Sequence, residues 1–233
     1  MAEGIKENLA RVRAAVAEAA TRAGRRPDEV KLIAVSKTFD AATVQQAVDA
    51  GALDLGENRV QEAASKVGFV MADGLRWHLI GHLQSNKARL AVKTFDVIHT
   101  VDSVELAERL DRICGEEGRR LDVLVQVDLG HEATKTGADE SDLAAIIAAL
   151  DRAEHLSLKG LMTLPPLFED AEQARPFFRR LRELRDDLNR ERPPEHRLAE
   201  LSMGMSHDFR VAIEEGATMV RVGTAIFGAR TKL

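Results

Sequence analysis

At 233 residues, with one cysteine and no tyrosine, the chain is the size of a single closed α/β barrel and can form no internal disulfide. Its net charge of −5, with acidic and basic residues mixed throughout, argues against a nucleic-acid surface, and no apolar stretch approaches the length of a membrane span. A reducing cytoplasm is the expected compartment.

Ile5, Leu9, Val12 and Val16 recur at helical spacing near the start. Glu3, Glu7 and Glu18 do not suit a transit peptide, and there is no continuous apolar core of the signal-sequence type. The expectation over 1–24 is an amphipathic helix packed on the rest of the molecule, stopped by Gly24 and Pro27. Leu32-Ile33-Ala34-Val35 then reads as a buried parallel strand, followed at once by Ser36-Lys37-Thr38.

From there helices and strands alternate. Helix 42–50 precedes a strand at Leu53–Gly56, and Glu57-Asn58 opens a helix expected to run to about Met71. A strand over 76–81, a helix over 84–92 and a strand at 97–100 follow. Asp102 to Glu105 carries capping chemistry for a helix whose core face holds Leu106, Leu110, Ile113 and Cys114. Strand 121–127 ends on Asp128, and helix 139–150 and strand 156–162 come next. A long helix turns Phe177, Leu181, Leu184 and Leu188 toward the core, and strands near 199–202 and 218–222 bring the count to eight. Eight such units predict a (β/α)8 TIM-type barrel with an extra N-terminal helix, one domain over 1–233.

The polar residues gather just past the strands: Lys37, Asn58, His82 to Asn86, Asp128, Thr163, Ser202 and Thr224. That edge is where barrels place their chemistry. An amine held there against an apolar wall has a depressed pKa and can form a Schiff base with a carbonyl. Alone, Lys37 would read more simply as a lysine snorkelling from a strand end. It is not alone. Met219 to Val222 ends in Gly223-Thr224, where close backbone approach and a helix start suit a phosphate, and Leu201 to Asp208 forms a second loop rich in small hydroxyl residues.

Other candidates are weaker. His78 and His82 lie on a strand with no third ligand in view, so no metal is expected. His99 and His207 fit capping or surface positions, and Lys135 could approach the same edge or be a solvated loop lysine.

Several longer motifs resemble one known family. They are Ala34-Val35-Ser36-Lys37, Gly56 to Glu62, Trp77 to Lys87, Lys159 to Met162, Leu201 to Ser206 and Arg221 to Gly228. In this order, over nearly the whole chain, they resemble the pyridoxal-phosphate homeostasis proteins (the YggS or PROSC family), which share the barrel of the alanine racemase N-terminal domain. The resemblance implies pyridoxal 5′-phosphate on Lys37, with Ser206, Gly223 and Thr224 at the phosphate and Arg221 at the pyridine nitrogen. Asn58, Ser202 and Met203 are implied as pocket residues. Thr38-Phe39-Asp40 and His82 depart from the family's pattern, where lysine or proline is common.

An arginine can only donate to the ring nitrogen, which keeps that nitrogen unprotonated and weakens the ring as an electron sink. Alanine racemases use a tyrosine as second acid/base, and here there is none; room for their second domain is also lacking. The expectation is a non-catalytic carrier or buffer of the cofactor serving vitamin B6 and amino-acid homeostasis, with apo enzymes that use the cofactor as possible acceptors. A slow amino-acid racemase and a cofactor-free Schiff-base aldolase stand as alternatives, which a visible spectrum and a racemisation assay separate.

Overall fold

The computed structural model describes residues 4–130 and 136–228. Its centre is a closed parallel barrel: β1 (Lys31–Val35), β2 (Asp54–Glu57), β3 (Arg76–Leu79), β4 (Val97–Val101), β5 (Leu121–Gln126), β6 (Leu156–Met162), β7 (Glu200–Met205) and β8 (Met219–Val222), each paired with its neighbours and β8 with β1. The helices α1 (Ile5–Arg22), α2 (Ala41–Asp49), α3 (Val60–Ala64), α4 (Ala88–Thr94), α5 (Val104–Glu117), α6 (Leu143–Asp151), α7 (Arg175–Arg190), α8 (Phe209–Glu214) and α9 (Thr224–Phe227) surround it. The expected eight-stranded barrel and its N-terminal helix are both present.

The main core lies between barrel and helices. Outward-facing strand residues such as Leu55, Leu79, Leu201 and Val220 pack there with Leu110, Phe178 and Ile213 from the helical layer. Removing such side chains from water drives closure of the layer, at ~1.5–3 kcal/mol for each fully buried large apolar side chain. α1 buries Leu9, Val12 and Val16, and Asn8 Nδ2 donates to the Ile226 carbonyl at 3.0 Å, tying the N-terminal helix to the last one. Arg25 donates to the carbonyls of Ile213 (3.0 Å) and Ala217 (2.7 Å), fixing the turn into β1. Ser103 accepts the Leu106 amide and caps α5 as its sequence suggests.

Two expectations shift. Helix 57–71 shrinks to α3 because Glu57 belongs to β2 and Lys66 turns inward out of the helix to bury its amine. In α7 the fully buried aromatic is Phe178; its neighbour Phe177 packs against Phe168 at 5.7 Å, while Leu181 is core as expected.

Candidate functional site

The C-terminal ends of the strands surround a cavity of about 570 Å³. Lys37, Asn58, Ser206, Arg221, Gly223 and Thr224 line it together. Its apolar wall comes from Val35, Phe39, Ile80, Leu164, Pro165 and Leu167. Size and mixture suit a small phosphorylated molecule with an aromatic ring.

Lys37 stands two residues past β1 and is half-buried, and the groups on both sides of it are held. Lys66, itself buried, donates through Nζ to the Ser36 carbonyl (2.9 Å), Glu57 Oε1 (2.9 Å) and Glu62 Oε1 (2.8 Å). Glu62 in turn accepts the Thr38 amide. Thr38 adopts φ 73°, the only described non-glycine residue with positive φ. Such a backbone persists only where its surroundings enforce it. Ser36 Oγ donates to Glu57 Oε1 at 2.6 Å, and burial pushes the Glu57 carboxyl above its usual range against the pull of Ser36 and Lys66. Sequence reasoning missed this clamp. Its visible trace was the i,i+4 pair Glu62–Lys66.

Across β7 and β8, Arg221 is buried and donates through Nη1 to Ser202 Oγ (2.6 Å) and through Nη2 to the Thr163 carbonyl (2.9 Å). Burial pushes its pKa down to about 10, with Asp208 opposing through space, so it remains a cation at neutral pH. Beside it the Gly223 amide donates to Ser206 Oγ at 3.3 Å. A Cβ on Gly223 would meet the Val35 carbonyl oxygen at 3.1 Å, so the glycine lets β8 close tightly on β1. Gly204, at φ 91°, would drive a Cβ to 2.6 Å from Ala212; it allows β7 to turn under α8 and present Ser206. Thr224 opens α9, where the Ile226 and Phe227 amides already donate to the Gly223 carbonyl at 2.8 and 3.0 Å, so the amides at the very start of the helix are the ones placed to meet a ligand. Phe39 stacks on Phe227 at 5.0 Å and joins the lysine loop to that helix.

Ser202 and Met203 do not line the cavity. The alternation of β7 turns Ser202 into the barrel, behind Arg221, and Met203 outward into the helix-facing core. The segment expected as a loop from Leu201 is strand up to Met205. His99 is no surface residue: it is fully buried, bonded to His78 and Ser202. His207 does sit at the cavity, with Nε2 3.0 Å from the Glu169 carbonyl. His78 and His82 have separate partners, Asp54 and Asp102, and among the described residues no cluster of three potential ligands could hold a metal. Burial pushes the Cys114 thiol up to about 11, which makes it a poor nucleophile at neutral pH. Lys135 lies outside the described residues.

The side-chain amide oxygen Oδ1 of Asn58 is buried and has no hydrogen-bond partner. A second depression, of about 600 Å³, lies at the opposite end of the barrel around Arg76, Asp96, Arg120, Asp122 and His155. Its carboxylates are paired, Asp122 with Arg76 at 2.6 Å and Lys159 at 3.3 Å and Asp96 with Arg119 at 3.3 Å. It presents no strand-end nucleophile.

The family described as alanine racemase, N-terminal domain, matches residues 7–231. A pyridoxal phosphate homeostasis protein of Pseudomonas aeruginosa is 46% identical over 227 residues, covering 97% of this chain and 96% of its own. The protein of that name from Aquifex aeolicus is 42% identical over 224 residues, covering 96% and 97%. The structure of PipY from Synechococcus elongatus with pyridoxal phosphate bound superposes with a TM-score of 0.84 at 45% identity, covering 96% of this chain and all of that one. An alanine racemase of Clostridium difficile shares the fold at 19% identity, with a TM-score of 0.68, covering 88% of this chain and 56% of its own.

Proposed function

The chain belongs to the pyridoxal phosphate homeostasis protein family, and from that premise we propose that it binds pyridoxal 5′-phosphate in the cytoplasm and carries or buffers it. The observation that carries this reading is one cavity that brings the Lys37 amine together with a buried cationic Arg221 and the Ser206–Gly223–Thr224 turn. The residues present fit the cofactor. The buried acceptor of Asn58 awaits a donor, Arg221 has only neutral hydrogen-bond partners, and a helix start offers amides to a phosphate.

When bound, pyridoxal phosphate supplies an aldehyde that condenses with amines and a ring that can draw electrons from them. Lys37 is the residue that would hold the aldehyde through its amine. The Lys66–Glu62 clamp fixes the peptide groups on either side of that lysine and so holds the backbone from which the amine reaches the cavity. Arg221 would donate to the pyridine nitrogen. Because it stays protonated, it would not give that nitrogen a proton, and the ring would remain a weak sink. Thr224 and Gly223 would supply amides to the phosphate, with the Ser206 hydroxyl beside them.

Turnover of an amino acid needs a second proton-transfer group as well as the lysine, or one mobile base, together with a strong sink. Among the described residues, the titratable side chains of the cavity wall are Lys37, His207 and Arg221. His207 is engaged with a main-chain carbonyl and Arg221 gives up no proton at neutral pH. Carriage therefore accounts for this site better than catalysis does.

The experiment is a transfer assay. The protein loaded with pyridoxal phosphate is mixed with an apo enzyme that requires it, and recovered enzyme activity is followed against release into buffer alone. Transfer without appreciable racemase, transaminase or decarboxylase turnover by the loaded protein is the expected result. Robust turnover of one amino acid, lost in Lys37→Ala, would replace this reading with that of a racemase-like enzyme.

A further inference from the structure

The inside of the barrel is threaded by polar side chains from five strands. Arg221 Nη1 lies 2.6 Å from Ser202 Oγ, Ser202 Oγ 2.9 Å from His99 Nδ1, and His99 Nε2 2.9 Å from His78 Nδ1; His78 Nε2 lies 2.8 Å from Asp54 Oδ1. Ser202, His78 and His99 are fully buried. Asp54 opens β2, at the end of the barrel away from the cavity, and its side chain is 21% exposed.

The chemistry of the ends fixes the direction of every bond. An ionised carboxylate only accepts, so His78 must carry its proton on Nε2 and leave Nδ1 as an acceptor. His99 must then donate from Nε2, which leaves its own Nδ1 to accept the Ser202 hydroxyl proton. Ser202 has only lone pairs left to offer Arg221, and an arginine only donates. Each group in the row is satisfied once, with both histidines neutral. Burial holds His78 below its usual range and His99 well below it, consistent with that state, while the hydrogen bond to His78 helps keep Asp54 ionised against its own burial.

We propose that Asp54, His78, His99 and Ser202 form a one-way hydrogen-bond relay in which a carboxylate at the far end of the barrel positions Arg221 beneath the cavity. These four are positioning residues: none of them lines the cavity, and all act through the arginine. Asp54 sets the two histidine tautomers, the tautomers turn the serine hydroxyl away from Arg221, and the serine lone pairs hold the guanidinium. The effect on cofactor rests on the role proposed above for Arg221; the tautomers do not.

The test has two arms. Nitrogen-15 spectra of the unliganded protein should show His78 and His99 neutral and protonated on Nε2. A charged ring at either position, or a proton on Nδ1, would overturn the relay whatever the cofactor does. In the second arm, pyridoxal phosphate is titrated into Ser202→Ala, Ser202→Thr and Asp54→Leu and the visible band recorded. Ser202→Ala should weaken binding about 10-fold, the loss expected of a hydrogen bond to a charged group, and move the band, with Ser202→Thr restoring both. Asp54→Leu should move the band the same way and weaken binding severalfold, although it lies outside the cavity. Should Asp54→Leu fail to fold, Asp54→Asn, which removes the charge but keeps an acceptor, should move the band in the same direction by less. A loss of melting temperature alone in the Asp54 variants, with band and affinity unchanged, would overturn the proposal. So would a response confined to Ser202→Ala. Wild-type protein that binds no pyridoxal phosphate would instead remove the cofactor reading, recognisably so, because the histidine spectra are taken without it.

Discussion

Arginines at two places in this protein do opposite things. On the outer layer Arg175, Arg179 and Arg182 converge on Glu215, which is buried, at 3.1, 3.1 and 3.0 Å, and Arg175 also reaches Glu172 and Glu214. Those hydrogen bonds with Glu172 and Glu214 raise the Arg175 pKa beyond its already high value. Inside the barrel Arg221 donates to a hydroxyl and a carbonyl, and burial lowers its pKa to about 10. The first set is neutralised where it stands and fastens α7 to α8. The second is a cation held by neutral groups at the wall of a cavity, which leaves charge to direct at whatever enters. An arginine whose charge is spent locally reads as structural, and one whose charge is unspent marks a site.

The contrast can be broken most severely at Arg221. Arg221→Glu puts an acid against the Thr163 carbonyl and the Ser202 lone pairs, and stability should fall by about 3 kcal/mol or more, read from chemical unfolding. Binding of pyridoxal phosphate should weaken at least about 10-fold, with a shifted visible band where binding survives. An unchanged band and affinity would show that Arg221 does not face the ring.

Glu215→Gln sharpens the contrast from the other side. It leaves three arginines facing a neutral amide and should cost about 2–3 kcal/mol, less than a fully buried pair because the arginines reach solvent. Cofactor affinity should not change. The wild type carries the matching pH dependence. Burial works against the Glu215 carboxylate, but hydrogen bonds from Arg179 and Arg175 outweigh it and hold its pKa below the ordinary value. A depressed acid contributes stability above its unfolded pKa and loses it as the pH falls through the folded one. Acid unfolding of Glu215→Gln should therefore be shallower than that of wild type below the ordinary glutamate range, measured by unfolding at a series of pH values.

The smallest effect is expected at Thr38. Thr38→Gly relieves the φ 73° backbone but loosens the unfolded chain, so stability should move by less than about 1 kcal/mol in a melting experiment. A loss of several kcal/mol would mean that the threonine side chain, and not the Glu62 clamp, holds the lysine loop.

The barrel and much of the cavity were legible in the sequence for one reason. Strand-helix alternation fixes which edge of the sheet a residue reaches, so Lys37, Asn58, Ser206, Gly223 and Thr224 could be placed at one edge from their positions, whereas Arg221, inside its strand, came from the family resemblance alone. What alternation does not give is which residues meet across the barrel. His78, His99, Ser202 and Asp54 lie on four strands, and their contact depends on inward register and strand stagger, which no local pattern encodes. The same limit misplaced Ser202 and Met203, where strand continued farther than expected. It hid Lys66 as well, whose amine turns back to β1 and β2 from what read as a continuous helix. Leu164-Pro165-Pro166-Leu167 left a visible trace, an apolar proline-rich run past β6, without a reason to give it to the cavity wall.

The central claim is that Lys37 carries the cofactor at the cavity Arg221 borders. Borohydride reduction of the protein loaded with pyridoxal phosphate, followed by peptide mass mapping, tests it most directly. A single pyridoxyl adduct on Lys37, with loss of the visible band in Lys37→Ala, is the predicted result. An adduct on another lysine, with an undiminished band in Lys37→Ala, would contradict it.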